Sequence, residues 1–483
     1  MAKTSVASTP NIILIMTDQQ RYETIRALGA SWVDTPNLDR LVREGVSFSN
    51  CHITGASCVP SRASLFNGLY PHSTGIFRNG QPWSRTWVEQ LAGAGYRCVN
   101  IGKMHTIPYN APAGFHERYV VENKDRFMEG RWYFDEWDKA LAAHGLKKQQ
   151  RVLYRERADY RDRLGAFLWE LPEHLHSDMF VGNMAQWWID TYPTTAPLFL
   201  QIGFPGPHPP YDPPPRYADP YLQRRDIPIP RPTTEELENL PPALKEKRRH
   251  DVDVDHDSVV WSLDPTDEQL HRLWAHYGAN MTLIDERIGA ILVALDAKGY
   301  LENALVLFTS DHGDCLGEHG LVQKWAMYDC ITRVPLVAWS KHGLGAGRGR
   351  QIDGLCQLFD LAPTILERAG CEVPATFEAR SLNPALNGDD WAPRATVYCE
   401  QAGDTNLTGS ELITMVRTDR WKLVHYKGEP YGQLFDLVTD PGETNDRWND
   451  PGCAPIRQSL LDNLRDWLIQ SNYATRDHMA AAR

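Results

Sequence analysis

An α/β fold, with a large, mostly parallel sheet flanked by helices, is predicted by three observations. Short apolar runs recur along the chain, segments of helical period separate them, and several runs end in a polar cluster. The runs cover residues 11–17, 98–103, 197–204, 305–310 and 335–340. Each is rich in Ile, Val, Leu and Phe and lacks clean alternation, the pattern of strands buried on both faces. Residues 36–44 follow Thr35 and 361–368 follow Asp360, both suitable helix-capping types, and 268–298 is a long periodic segment. Residues 125–175, rich in Arg, Trp and Tyr, read as a helical excursion that covers the ligand site. Residues 212–265, rich in Pro and charge, read as a long insertion with little regular structure. Beyond residue 375 the texture changes. Segments 412–417, 421–426 and 433–437 look like short antiparallel strands, and 456–469 like a closing helix. The chain therefore divides into a large α/β domain, residues 1–375, and a smaller C-terminal α+β domain, residues 376–483.

Composition narrows the function. Of 483 residues, 42% are hydrophobic and 23% charged, so a large core is affordable and two or three domains are expected. A net charge of -12 argues against nucleic acid as a partner, since phosphate contacts need a basic surface. It leaves an anionic small molecule open, because a local metal and a few Lys or Arg can reverse the field in a pocket. Residues 1–10 carry one Lys and no apolar stretch, and the next run is short and ends in Thr17-Asp18. It reads as a strand and not as a signal peptide, and no run reaches the ~18 apolar residues of a membrane span. A cytoplasmic protein without membrane attachment is expected. The nine Cys are scattered without a CxxC pair, so neither a disulfide framework nor a zinc site is predicted.

In a sheet of this kind ligands bind beyond the carboxyl ends of the strands. Those ends carry Asp18-Gln19, Lys103 to His105, His208 and Asp311-His312-Gly313-Asp314. Four strands delivering Asp, Lys and His to one edge is a catalytic pattern. Between the first two lies Cys58-Val59-Pro60-Ser61-Arg62, a Cys followed by Pro two residues on and Arg four on. Asp251 to Asp257 is an acidic run without the Gly and terminal Glu of a calcium loop, and it reads as solvated, as do the charges of 245–249. Trp132-Tyr133 and Trp187-Trp188 read as packing groups.

Taken together, these motifs resemble the type I sulfatases, within the alkaline-phosphatase-like superfamily. The likeness runs from the 11–18 segment through Pro36 to Asp39, Cys58 to Arg62, Gly102 to His105 and Asp311 to Gly313, and on to Gln433 to Leu437 and Asp440 to Glu443. It implies that a formylglycine-generating enzyme oxidises Cys58 to an aldehyde. Hydrated, that aldehyde offers a hydroxyl that attacks sulfur in line and expels the alcohol, and collapse of the hemiacetal ester then releases sulfate. The resemblance assigns one divalent metal ion, Ca²⁺ or Mn²⁺, to Asp18, Gln19, Asp311, His312 and an oxygen of modified Cys58. It makes Arg62 the support of the modified side chain and Lys103 a substrate-oxygen contact. His105 is the base for the second hydroxyl, and His208 and Lys324 assist the leaving group. Asn79 matches a contact to the substrate's non-bridging oxygens, though its Asn79-Gly80 sequence equally suits a plain turn. Asp314 and Glu318 are read as supporting or surface acids. Gln19 stands where many sulfatases have Asp, and His312 where many have Asn. That combination occurs in the phosphonate monoester hydrolase-like subgroup. The expected activity is sulfate ester hydrolysis of the arylsulfatase kind, with phosphonate monoester or phosphate diester hydrolysis as the alternative. The substrate is a small anionic ester, and homo-oligomerisation is implied by its frequency in the family.

Overall fold

The computed structural model describes residues 9–122, 133–148, 151–192, 195–404, 406 and 409–476. Its strands are β1 (Asn11–Asp18), β2 (Val46–Phe48), β3 (Cys51–His52), β4 (Arg97–Gly102), β5 (Glu117–Val120), β6 (Leu198–Pro207) and β7 (Ala304–Ser310). They continue with β8 (Leu336–Trp339), β9 (Arg350–Ile352), β10 (Cys356–Gln357), β11 (Val397–Ala402), β12 (Leu412–Arg417), β13 (Trp421–Tyr426) and β14 (Gly432–Asp436). Eight of them form one sheet in the order β5-β4-β6-β1-β7-β8-β2-β9.

The middle of that sheet, β4-β6-β1-β7, is parallel throughout. Along β1, Ile13 and Ile15 face one apolar layer and Ile12, Leu14 and Met16 the other. Both faces are dry, so the strand has no polar side to show and no alternation to read. The first layer is roofed by helices Pro36–Glu44, Ser177–Thr191 and Asp267–Ala297, the second by Cys58–Asn67, Val88–Gly93 and Leu361–Arg368. A capping box of Thr266 and Gln269 starts the longest of these. Farther along, its Asp285 accepts from Asn37 N (3.1 Å) and Leu38 N (2.7 Å). The start of helix Pro36–Glu44 is thus satisfied by a distant carboxylate, and Thr35 makes no capping bond of its own.

The run at 335–340 is a strand, but β8 lies antiparallel to both β7 and β2. Between β7 and β8 there is no crossover helix, only short turns at Glu318–Gly320 and Asp329–Thr332, so the chain comes back in the opposite direction. The 212–265 segment departs from expectation. It contains helices Pro215–Leu222, Thr234–Asn239 and Pro242–Asp253. Two of these begin with Pro at the first position, where its missing N–H costs nothing and its fixed φ helps. The charges of this segment are also not simply solvated: buried Lys247 pairs with Asp251 at 2.5 Å, and Arg248 donates to Gly320 O at 2.9 Å. Of the 125–175 excursion, the described part includes helices Glu136–Ala143 and Arg151–Arg155, and Trp132 lies outside the described residues. Trp188 is buried, whereas its neighbour Trp187 is exposed.

β11 to β14 form an antiparallel sheet. Its inner residues Cys399, Ile413, Met415, Val424 and Phe435 join the core of the large sheet, and Val416, Leu423 and Leu434 pack on helix Ala454–Ala474. A boundary near residue 375 therefore divides the sequence without dividing the hydrophobic core. Among the described residues, no helix is long and apolar enough to cross a membrane.

β4 and β6 approach closely where they deliver their polar ends. A Cβ on Gly203 would meet Lys103 O at 1.9 Å, and one on Gly102, at φ +93°, would meet Gly203 O at 2.1 Å. Gly203→Ala should therefore push Lys103 out of place, lowering stability by about 3 kcal/mol. The denaturant midpoint checks this, and activity should fall with it.

Candidate active site at the carboxyl edge of the sheet

Four strand ends meet here. β1 ends in Asp18, β4 leads into Lys103, β6 into His208 and β7 into Asp311-His312. Opposite them starts helix Cys58–Asn67, buried from Cys58 to Phe66, with Cys58 in its first turn. The partial positive charge of a helix N-terminus thus faces the same space.

Asp18, Cys58, Asp311 and His312 bring one donor atom each within 4.8 Å of one another, all buried. Cys58 Sγ lies 3.2 Å from His312 Nε2 and 3.8 Å from Asp18 Oδ1. His312 Nδ1 sits 2.8 Å from Gly313 O and so carries the proton, which leaves the Nε2 lone pair directed at the cluster. Nε2 is only 3.9 Å from Asp18 Oδ1 and 3.7 Å from Asp311 Oδ1, too long for hydrogen bonds. Two carboxylates and a lone pair converging in a dry site, with only the Cys58 thiol proton to share among them, suit a hard divalent cation.

Cations surround this centre. Arg62, fully buried, donates to Asp311 Oδ2 (2.7 Å), Asp18 Oδ2 (3.2 Å) and Lys103 O (3.1 Å). Lys103 Nζ pairs with Asp18 Oδ2 at 2.6 Å. Lys324 Nζ lies 3.1 Å from Cys58 Sγ and 3.0 Å from Gln19 Oε1. Gln19 also donates from Nε2 to Asp314 Oδ2 (2.6 Å) and from its backbone N to Asp311 Oδ1 (3.0 Å). Its amide thus links the Asp311–Asp314 loop to Lys324. Burial works to raise the Asp18 pKa, but Lys103, His208, Arg62 and Lys324 outweigh it and hold the carboxyl well below its usual range. Burial, helped by Asp18, pushes the Cys58 thiol up to about 12. The unmodified side chain is a neutral thiol in this setting.

The histidines divide by surroundings. Burial, then the charge of Lys103, depresses His105 well below the ordinary imidazole value. His105 sits at φ +65°, a strained conformation for a residue with a side chain, and its buried Nδ1 has no hydrogen-bond partner. His208 is likewise depressed by burial and by Lys324. Asn79 sits at the start of the Cys58 helix, its Oδ1 accepting from Val59 N at 3.1 Å, and Gly80 completes the turn at φ +86°. Asp314 is fully buried: it accepts from Gln19, from Tyr211 Oη (2.5 Å) and from the backbone of Leu316 and Gln323 (3.0 and 2.9 Å). Glu318 is partly exposed and pairs with Arg21 at 2.7 Å. Sequence reasoning passed over Ser61, whose hydroxyl holds Asp311 O at 2.6 Å, and Tyr211. A Ser inside the pentapeptide was the only available sign of the former.

The model of the sulfatase family matches residues 10–371, and that of the N-sulphoglucosamine sulphohydrolase C-terminal region matches residues 317–470. An arylsulfatase of Clostridium perfringens is 29% identical over 95% of this chain and 94% of its own. A choline-sulfatase of Rhizobium meliloti is 28% identical over 95% of this chain and 86% of its own. In fold, the chain is similar to the phosphonate monoester hydrolase of Agrobacterium radiobacter, with a TM-score of 0.80 at 24% identity, covering 96% of both chains. With the strand-end acids, the buried Cys58 and the mixed eight-stranded sheet all in place, the chain belongs to the sulfatase family and is a sulfuric ester hydrolase.

Proposed function

We propose that this protein hydrolyses small sulfate esters of the arylsulfatase kind, using formylglycine formed from Cys58 as the nucleophile and one divalent metal ion. The observation that carries the reading is the buried convergence of Asp18, Cys58, Asp311 and His312 inside a ring made by Arg62, Lys103 and Lys324. The first four, with Gln19 beside them, would hold the cation. A cation bound there favours the ionised nucleophile and screens the anionic ester. An imidazole among the donors favours Mn²⁺ over Ca²⁺. Arg62 holds the side chain at 58 and the two carboxylates in register. Lys103 and Lys324 bring positive charge to the transferring group, and Asn79 borders the same space from the helix start. His105, kept neutral and with a free Nδ1, takes the proton of the second hydroxyl. His208 gives a proton to the departing alcohol. A formylglycine-generating enzyme is the required maturation partner.

Chelation followed by dialysis should remove at least about 90% of the activity, and Mn²⁺ should restore more of it than Ca²⁺. Activity indifferent to chelation, in protein shown by elemental analysis to be metal-free, would refute the metal assignment.

A second reading is phosphonate monoester or phosphate diester hydrolysis at the same site. It is favoured by Gln19 in place of a second acid and by the likeness in fold to a phosphonate monoester hydrolase. A sulfate monoester and a phosphonate monoester carry the same single charge, so one site accommodates both. The ratio of kcat/KM for 4-nitrophenyl sulfate and 4-nitrophenyl phenylphosphonate decides between them, with the sulfate expected to be preferred.

A further inference from the structure

Asp257 belongs to the acidic run that reads as solvated in the sequence, yet its Oδ2 lies 3.4 Å from His208 Nε2, and its side chain is 15% exposed. The other ring nitrogen, Nδ1, sits 2.7 Å from Pro209 O, which has only lone pairs to offer. Nδ1 therefore carries a proton, and Nε2 meets Asp257 favourably only when it carries one too. Both contacts favour the imidazolium and oppose burial and the charge of Lys324, which on balance hold His208 well below the ordinary imidazole value. The charged groups that bear on His208 are Lys324, Asp257, Asp18 and Lys103, and Asp257 bears on Lys324 as well.

The placement of Asp257 is built at a conformational cost. His256 and Val259 bond to each other across a two-residue turn, with Asp257 at φ +57° and Ser258 at φ +64°. Both corners of such a turn normally fall to Asn and Gly, and here neither is glycine. The turn is tied down on two sides. Asp255 Oδ1 accepts from Ser258 N at 3.0 Å, and Gln323, next to Lys324, donates to His256 O at 3.0 Å. A strained turn fixed to the loop that carries Lys324 is a positioning device.

We infer that Asp257 is a positioning residue for leaving-group protonation, holding His208 as the proton donor. The inference rests on the role of His208 proposed above. As the bond between sulfur and the bridging oxygen breaks, its electron pair goes to that oxygen, which takes the Nε2 proton. Neutral His208 remains beside the Asp257 carboxylate until a solvent proton restores it. The long 3.4 Å contact leaves the Nε2 proton open to sharing with the ester oxygen.

Asp257→Asn, nearly identical in shape, tests this with a series of aryl sulfates. On phenyl sulfate, whose poor leaving group needs the proton, kcat should fall about 100-fold. On 4-nitrophenyl sulfate it should fall about tenfold or less, and the basic limb of the pH–kcat profile should move to lower pH. The double variant Asp257→Asn/His208→Asn should be no slower than His208→Asn alone. Equal losses across the series, or additive losses in the double variant, would overturn the role of Asp257 and leave that of His208 standing. A His208→Asn protein with the wild-type dependence on leaving group would instead remove His208 from leaving-group protonation, and this inference with it.

Discussion

Cys58→Ala is expected to abolish ester hydrolysis, with kcat falling by at least about 10⁴-fold for sulfate and phosphonate esters alike. The reason is positional as well as chemical. Cys58 lies in the first turn of a buried helix, with Lys324 at 3.1 Å, His312 at 3.2 Å and Asp18 at 3.8 Å. No other described side chain of the site supplies a hydroxyl, thiol or aldehyde at that point. The fold should survive, because the change removes one small buried atom, at a cost of about 1 kcal/mol. Circular dichroism and the denaturant midpoint check this, so that lost activity is not mistaken for lost structure. Residual turnover within tenfold of the parent would mean that another group is the nucleophile.

Arg62→Met should be the most destabilising single change at the site. The guanidinium is fully buried and donates to Asp311, Asp18 and the carbonyl of Lys103. Met fills much of the same volume but leaves the two carboxylates with one cation fewer in a dry setting. Removing one partner of a buried ion pair costs about 3–5 kcal/mol. The measurement is the urea midpoint of metal-free protein. Added Mn²⁺ should recover part of the loss, since an ion that binds only the folded state stabilises it by mass action. A change below about 1 kcal/mol would mean that Lys103 alone balances the two acids.

The legible parts of this chain are those where burial dictates sequence directly. β1 and β7 are dry on both faces and are uninterrupted apolar runs ending in a polar cluster, while β4 and β6 are also buried but each carries one amide, Asn100 and Gln201, inside the run. The ends of those strands gave away the site for the same reason: a charged residue beyond a buried strand has a job or is a liability. β3 and β10 have two residues and β2 and β9 three, too few to show any period. The direction of β8 depends on the connection that precedes it, which strand composition does not encode. Residues 212–265 misled because Pro215 and Pro242 read as breakers, although each opens a helix. Asp257 misled similarly. A run of acids looks solvated until the fold supplies partners, as with Asp251 and Lys247, Asp255 and Tyr160 at 2.7 Å, and Asp257 and His208, while Asp253 is exposed. The Lys247–Asp251 pair is one helical turn apart, but the pairings of Asp255 with Tyr160 and of Asp257 with His208 span long stretches of sequence and are fixed by tertiary structure alone.

The central claim is that residue 58 works as an aldehyde, and the most direct measurement is the mass of the tryptic peptide 44–62 from protein made in its native source. Conversion of the Cys58 thiol to formylglycine should lower the mass by about 18 Da and leave Cys51 as the one alkylatable thiol of the peptide. That shift, in the fraction of protein that carries the activity, is the predicted result. A peptide of unaltered mass with Cys58 still open to alkylation, from fully active protein, would contradict the account.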